Sequence, residues 1–350
     1  MNRSRHVLSA AGLRLASVVI ALAFVAPLAA QTDNRREIAR LAQELNAAYE
    51  AKAYAKAIEA GAKIEALDPA NSGNFYNMAC CYALSGDAAG AIKYLQKAAD
   101  NGFDDAAHAR GDSDLASIRE RPEFTAAIQT MERRAADSAA RFEELAAKSE
   151  PLIVVPDGLD RAAPAPAIVA LHGYGQRAEW IVEQWKEAAA AAGAILIAPR
   201  AVHASGSGFQ WGRPEEAEHL VRAALRKAAD AGHKLDAKRV VLTGFSQGGF
   251  MTYCVGLRNS DMFCGLIPVA ARFDPVAAAP LESRAGSRLP RVYVMVGTKD
   301  QVFEQSKTAH AALTKAGAEC RLNEYPDVGH AFPPNRLDEQ RKALEWMFKN

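Results

Sequence analysis

The sequence has few cysteines, no excess of either charge and no metal-binding motif, and each shortage excludes a class of protein. Five cysteines in 350 residues are too few for a disulfide scaffold. Lysine and arginine number 42 against 41 aspartates and glutamates, so no basic field attracts nucleic acid. No Cys, His and acidic residues have metal-ligand spacing, and no glycine-rich phosphate loop is present. We therefore predict no metal, no cofactor and no nucleic-acid partner.

The five cysteines are an odd number, so at least one is unpaired within the chain. We expect them to serve as small buried apolar residues, and their disulfide state stays open. They are Cys80, Cys81, Cys254, Cys264 and Cys320.

Only one apolar run approaches membrane-spanning length, and it stands at the N-terminus. Arg3 and Arg5 precede it, and small residues follow it up to Ala30. A basic start, a short apolar core and a small-residue end are typical of a secretory signal peptide. We predict a signal peptide over residues 1–30, export to the periplasm or medium, and no membrane attachment after its removal. An uncleaved N-terminal anchor is the alternative.

Residues 31–134 have helical periodicity and an internal repeat. Ala57-Ile58 recurs as Ala91-Ile92 at a spacing of 34 residues, and this segment resembles the tetratricopeptide repeat family. Gly61 departs from the pattern, which usually has a large side chain there. The resemblance implies a small concave surface for a protein or peptide partner, although the repeats could instead only pack on the next domain. Residues 135–149 are expected to form a helical linker.

From residue 150 to 350, apolar strands alternate with helical stretches. This alternation predicts an α/β fold with a mostly parallel sheet covered by helices on both faces. The predicted strands are Leu152–Val155, Ala167–Leu171, Ala194–Ala198, Arg239–Thr243, Gly265–Val269, Val292–Val296 and Arg321–Tyr325. The predicted helices are Glu179–Ala192, Glu215–Ala231, Gly248–Leu257, Glu304–Ala316 and Leu337–Phe348.

The motif G-x-S-x-G joins one of these strands to the following helix. Gly244 and Gly248 leave room for a sharp turn that exposes Ser246 at the helix N-terminus. A serine hydroxyl needs a neighbouring base to act as a nucleophile. Ser246 is therefore the candidate nucleophile.

In strand-to-helix serine sites, an acid and then a histidine follow the serine in the chain. His330 follows the last strand and is favoured as the base over His310, which lies inside a predicted helix. Asp300 follows an apolar strand and is favoured as the acid over Asp274 and Asp327.

An oxyanion hole needs two backbone N–H groups that converge on one point. Gln247 follows the nucleophile, and Tyr174 lies in a glycine-rich loop after an early strand, so their amides are the candidates. Trp211 and Phe209 follow another strand and are expected to line a substrate pocket. His172 is a further candidate at the substrate site, although hydrogen bonding that supports the loop is the favoured role for it.

Four motifs occur in order over about 200 residues: His-Gly-Tyr-Gly, Gly-Phe-Ser-Gln-Gly-Gly, Gly-Thr-Lys-Asp and Gly-His-Ala-Phe. Together they resemble α/β-hydrolases of the phospholipase/carboxylesterase type, which include acyl-thioesterases and secreted esterases. The resemblance implies Ser246, Asp300 and His330 as the catalytic triad, with the amides of Tyr174 and Gln247 as the oxyanion hole.

The expected function is cleavage of a small or polymer-borne carboxylic ester through an acyl-enzyme. Two alternatives stay open. The same triad also serves peptidases, and the hydrolase domain could be secondary in an interaction protein.

Overall fold

The structure is a computed structural model that describes residues 34, 37–274, 276–278, 281 and 288–349. The predicted signal peptide lies outside these residues and stays a prediction. Among the helices that the structure describes, none is long and apolar enough to cross a bilayer. The described residues divide into two compact units, of which the first ends at Ser138 and the second begins at Ala139.

The first unit is helical throughout its described part. Its elements are α1 (37–50), α2 (Tyr54–Leu67), α3 (Ser72–Leu84), α4 (Ala88–Asp100), α5 (Ala106–Gly111) and a 3-10 helix (Ser113–Ile118). Helix α3 packs against both α2 and α4. Asn71 and Asp87 begin α3 and α4 by accepting hydrogen bonds from the backbone N–H groups of Asn74 and Gly90. The helices agree with the periodicity, while the assignment to the tetratricopeptide family stays a prediction.

Helix α6 (Pro122–Lys148) differs from the predicted arrangement because it runs through the expected boundary at 134/135. It contains no glycine and no proline after Pro122 that could end it earlier. The first turn begins at Pro122, where a missing N–H costs nothing. Residues 135–148 of the expected helical linker therefore continue α6, and the predicted domain division stays a prediction.

The second unit contains a seven-stranded sheet in the order β1-β3-β2-β6-β7-β8-β9. All neighbours are parallel except β1, which runs antiparallel to β3. The strands are β1 (Leu152–Val154), β2 (Ala165–Leu171), β3 (Ile195–Ala198), β6 (Leu235–Phe245), β7 (Gly265–Val269), β8 (Arg291–Gly297) and β9 (Cys320–Tyr325). The helices are α7 (Ala178–Ala191), α8 (Pro214–Asp230), α9 (Gln247–Arg258), α10 (Phe303–Lys315) and α11 (Arg336–Phe348). The predicted mostly parallel sheet with flanking helices is confirmed.

Side chains alternate along the strands and so build one core on each face of the sheet. On β2, Val169 and Leu171 join the core that contains α8, α9 and α10, whereas Ile168 and Ala170 join the core that contains α7 and α11. Since both faces are covered, the strands β2, β3 and β7 are buried along their whole length. The segments that leave the carboxyl ends of the parallel strands therefore meet at one edge of the sheet.

Candidate active site

Ser246 stands in a strained turn between β6 and α9. Its φ of 54° and ψ of −113° lie outside the regions that non-glycine residues usually adopt. The turn is held by two backbone hydrogen bonds, from Ser246 N to Val269 O at 2.9 Å and from Phe250 N to Ser246 O at 2.9 Å. The strain is maintained by the neighbouring strand and the first helical turn, and it exposes the hydroxyl at the sheet edge.

Two glycines make this turn possible because backbone packs directly on backbone there. A Cβ at Gly244 would lie 2.3 Å from the carbonyl carbon of Gly248. A Cβ at Gly248 would lie 2.3 Å from the carbonyl oxygen of Leu171. Both distances are far below van der Waals contact, so larger residues are excluded at these positions.

Ser246, His330 and Asp300 form one hydrogen-bonded series. His330 Nε2 lies 2.9 Å from Ser246 Oγ, and His330 Nδ1 lies 3.0 Å from Asp300 Oδ2. The side chain of Asp300 has no exposed surface, and it also accepts a hydrogen bond from Val302 N at 3.1 Å. Asp300 therefore orients the imidazole, while the other ring nitrogen faces the serine hydroxyl.

The less favoured candidates have other partners. The Asp274 carboxylate accepts hydrogen bonds from the backbone N–H groups of Val276 and Ala277 at 3.0 and 3.2 Å. Asp327 has an 81% exposed side chain that pairs with Lys299 Nζ at 2.8 Å. His310 lies in the middle of α10. Of the candidate acids and bases, the structure brings Asp300 and His330 to Ser246.

The two candidate oxyanion donors lie on adjoining segments of the sheet edge. Gln247 is the first residue of α9, where N–H groups lack an acceptor within the helix. Its side chain joins the neighbouring loop in both directions, accepting from Trp211 N at 3.1 Å and donating to Trp211 O at 3.0 Å. Tyr174, 62% exposed, follows Gly173 after β2. The Gly173 N–H is held by Gln176 Oε1 at 2.9 Å, which fixes the turn.

His172 is fully buried, and both ring nitrogens contact backbone atoms. Nδ1 lies 2.9 Å from Gly173 O, and Nε2 accepts a hydrogen bond from Ala201 N at 3.4 Å. Burial lowers the pKa of this imidazole, so the neutral form is favoured. The arrangement suits support of the loop, and it leaves no exposed ring nitrogen for the substrate contact that the sequence also suggested.

Trp211 and Phe209 differ in how much surface they can offer a substrate. Trp211 is 2% exposed and donates from Nε1 to His172 O at 2.7 Å, so it packs rather than lines an open pocket. Phe209 is half-buried and lies under the Arg177 guanidinium at 5.4 Å. It belongs to a short hairpin of β4 (His203–Ser205) and β5 (Gly208–Gln210).

That hairpin is not predicted from the sequence, although the chain contains a turn motif there. Gly206 and Ser207 connect the two strands, and Gly206 has a φ of 59°. Glycine followed by a small polar residue is typical of two-residue hairpin turns. The three-residue strands are too short to give an alternating pattern.

Three aromatic rings without a role predicted from the sequence contact one another, and one of them, Phe245, lies beside His330. We call Trp180, Phe245 and Phe332 the aromatic cluster. The Phe245 ring centroid lies 5.1 Å from that of His330 and 5.4 Å from that of Phe332. The Trp180 centroid lies 5.3 Å from Phe245 and 6.1 Å from Phe332. These separations are those of favourable aromatic contacts.

All five cysteines lie in the described chain and are free, with Cys80, Cys81 and Cys254 buried. Cys80 lies near Asp112 and Asp114 in the first unit, and the three side chains offer possible metal ligands. Asp112 already accepts hydrogen bonds from Tyr76 Oη at 2.6 Å and from Asp114 N at 3.0 Å. These bonds account for the cluster as the cap of the 3-10 helix.

Comparison with known proteins finds a family model and several relatives that match part of this chain. Residues 198–348 match the model of the dienelactone hydrolase family. Acyl-protein thioesterase 1 of Gibberella zeae is 27% identical over 34% of this chain and 52% of its own length. Poly(3-hydroxyalkanoate) depolymerase C of Paucimonas lemoignei is 32% identical over 33% of this chain and 30% of its own length. Esterase PE8 is 25% identical over 57% of this chain and all of its own, with a TM-score of 0.49.

The second unit has the α/β-hydrolase fold. The parallel sheet, its covering helices and the family match over residues 198–348 carry this assignment. The chain spans about half the length of the thioesterase and under a third of the depolymerase. The fold alone does not select a substrate.

Proposed function

We propose that the second unit is a serine hydrolase that cleaves carboxylic esters through an acyl-enzyme intermediate. The observation that carries the proposal is the hydrogen-bonded series Ser246–His330–Asp300 at the carboxyl edge of the sheet. The names of the matched proteins, a thioesterase, a depolymerase and an esterase, support chemistry at an acyl group.

In the proposed mechanism, Ser246 Oγ attacks the ester carbonyl carbon while His330 Nε2 takes the hydroxyl proton. The N–H groups of Gln247 and Tyr174 stabilise the negative charge on the carbonyl oxygen. The carbon–oxygen bond to the alcohol then breaks, and His330 returns the proton to the departing oxygen. Water, deprotonated by His330, then attacks the acyl carbon, the bond from that carbon to Ser246 Oγ breaks, and His330 returns the proton to Oγ as the acid is released. Asp300 stabilises the imidazolium in both halves of the reaction.

The test is hydrolysis of p-nitrophenyl esters from acetyl to long acyl chains by the wild-type chain and Ser246→Ala. We expect the substitution to lower kcat by at least about a thousandfold, because the nucleophile is lost. Ser85→Ala is the matched control, since this exposed hydroxyl lies in the helical unit and donates to Tyr82 O. Labelling of Ser246 by a fluorophosphonate provides a second readout.

Other outcomes would redirect the proposal. Labelling of Ser246 without ester turnover, combined with cleavage of matched peptide amides, would favour a peptidase. Neither turnover nor labelling would favour an interaction protein in which the hydrolase fold is secondary.

A further inference from the structure

The proposed chemistry leaves the aromatic cluster without a role. Phe245 precedes the nucleophile and is 7% exposed, so its ring forms a floor. A Cβ on Gly173 would lie 3.2 Å from Phe245 Cδ1. The Phe245 ring therefore contacts the loop that carries Tyr174 as well as the ring of His330, and it adjoins both groups that handle the reacting ester.

The other two rings extend this floor toward solvent. Trp180, on α7, and Phe332, two residues after His330, are half-buried. Phe332 and Phe245 are stacked with an interplanar angle of 19°. Part of this apolar aromatic surface therefore remains exposed to solvent near His330.

We infer that the aromatic cluster is the subsite for the alcohol portion of the ester and favours a flat aromatic ring there. This inference rests on the proposed function. His330 Nε2 must come within hydrogen-bonding distance of the departing oxygen in order to protonate it. The group attached to that oxygen consequently lies beside His330, where the Phe245 ring is found with the Phe332 ring stacked on it.

The substrate class is therefore an ester of an aromatic alcohol. Ser246 Oγ bonds to the acyl carbon, the carbon–oxygen bond to the aromatic alcohol breaks, and the proton removed from Ser246 passes through His330 to the alcohol oxygen. The aromatic ring of the alcohol stacks on or meets the edges of Phe332 and Trp180 during this step. An alicyclic ring of similar size would bury as much apolar area on these side chains. An aromatic ring gains favourable ring–ring contacts in addition.

The experiment compares benzyl acetate with cyclohexylmethyl acetate, which differ in the flatness of the alcohol ring. We expect the wild-type chain to have the higher kcat/KM for benzyl acetate. Phe332→Leu and Trp180→Leu should each lower the benzyl-to-cyclohexylmethyl ratio by about two- to tenfold, the loss of one aromatic contact. Because both substrates are measured on one preparation, the ratio does not depend on the folded fraction.

Trp346→Leu is the matched control. Trp346 is also half-buried and also packs on the core of α7 and α11, but it contacts Arg291 at the start of β8, the opposite edge of the sheet. Its substitution should leave the ratio unchanged. An equal ratio change in Trp346→Leu would overturn the inference, and so would equal loss of both acetates in Phe332→Leu and Trp180→Leu, the expected result of a role only in holding His330.

A second pair of substrates tests the side of the ester. Ethyl phenylacetate and ethyl cyclohexylacetate have the ring on the acyl portion, and their ratio should not respond to the variants. A response only in this pair would overturn the alcohol assignment. If the wild-type chain hydrolyses none of the esters, the proposed function itself fails, whereas turnover without benzyl preference contradicts the inference alone.

Discussion

Two glycines, Gly61 in the first unit and Gly248 in the second, are surrounded differently. At Gly61 in the helical unit, an added Cβ would lie 2.6 Å from Met78 Cγ, the middle of a flexible side chain. At Gly248 in the second unit, it would lie 2.3 Å from the Leu171 carbonyl oxygen. A methionine can change rotamer, whereas the backbone of a central strand cannot move without its neighbours. Adjustable side-chain packing thus surrounds Gly61, whereas rigid backbone contacts surround Gly248 at the candidate site.

The largest expected difference concerns two carboxylates, one in each unit. Asp300 orients His330, whereas Asp112 caps the 3-10 helix and accepts from Tyr76 Oη. Asp300→Asn should lower kcat/KM for ester hydrolysis by about three to four powers of ten, because the amide no longer stabilises the imidazolium. Asp112→Asn should leave ester hydrolysis unchanged and lower the free energy of unfolding by about 1–2 kcal/mol.

Initial rates on a p-nitrophenyl ester and urea denaturation of the same preparations check this contrast. Asp274→Asn provides a further control for Asp300, because it removes the same charge from another acid that follows a strand. Full activity in Asp300→Asn would remove Asp300 from the site.

The second contrast concerns the glycines themselves. Gly248→Ala should lower the free energy of unfolding by about 3 kcal/mol or more, because the methyl group overlaps the Leu171 carbonyl. Gly61→Ala should change it by less than about 1 kcal/mol, because the gain in helix propensity offsets the displacement of Met78. Chemical denaturation of both variants measures the difference. Equal destabilisation would show that the two environments are alike in rigidity.

The sequence predicted the sheet edge well because chain order and strand ends restrict what can meet there. Ser246, Asp300 and His330 each follow a parallel strand, so the topology alone brings them to one edge. It could not separate Asp300 from Asp274 by distance, since both follow strands. Their hydrogen bonds separate them, because Asp300 is bonded to His330 whereas Asp274 accepts from the backbone N–H of Val276.

The aromatic cluster could not be predicted because its members are far apart in the sequence. Trp180, Phe245 and Phe332 lie in three separate segments, and each reads as an ordinary core residue on its own.

Gly61 is the converse case. It appeared as a defect in the repeat pattern, yet its missing side chain makes room for Met78, and its carbonyl accepts a hydrogen bond from Asn74 Nδ2 at 2.8 Å.

The smallest expected effect is a difference between the two units in how their stability responds to acid. Burial lowers the pKa of His172 below its ordinary value of 6.5, so the unfolded chain binds the proton more readily. Stability from His172 is therefore present above about pH 6.5 and decreases as the pH falls below it. The hydrogen bond from Lys97 lowers the pKa of Glu65 below 4.5, so the contribution of Glu65 is lost only in stronger acid.

Tryptophan fluorescence reports on the second unit, since all four tryptophans of the chain lie in it: Trp180, Trp185, Trp211 and Trp346. The Tm from fluorescence should decrease between pH 7 and pH 5 in the wild-type chain and decrease less in His172→Asn, which cannot take up a proton. Glu65→Gln should leave this dependence unchanged. If His172→Asn has the same slope as the wild-type chain, the neutral imidazole contributes no measurable pH dependence, and the loop that carries Tyr174 is held by its backbone contacts alone.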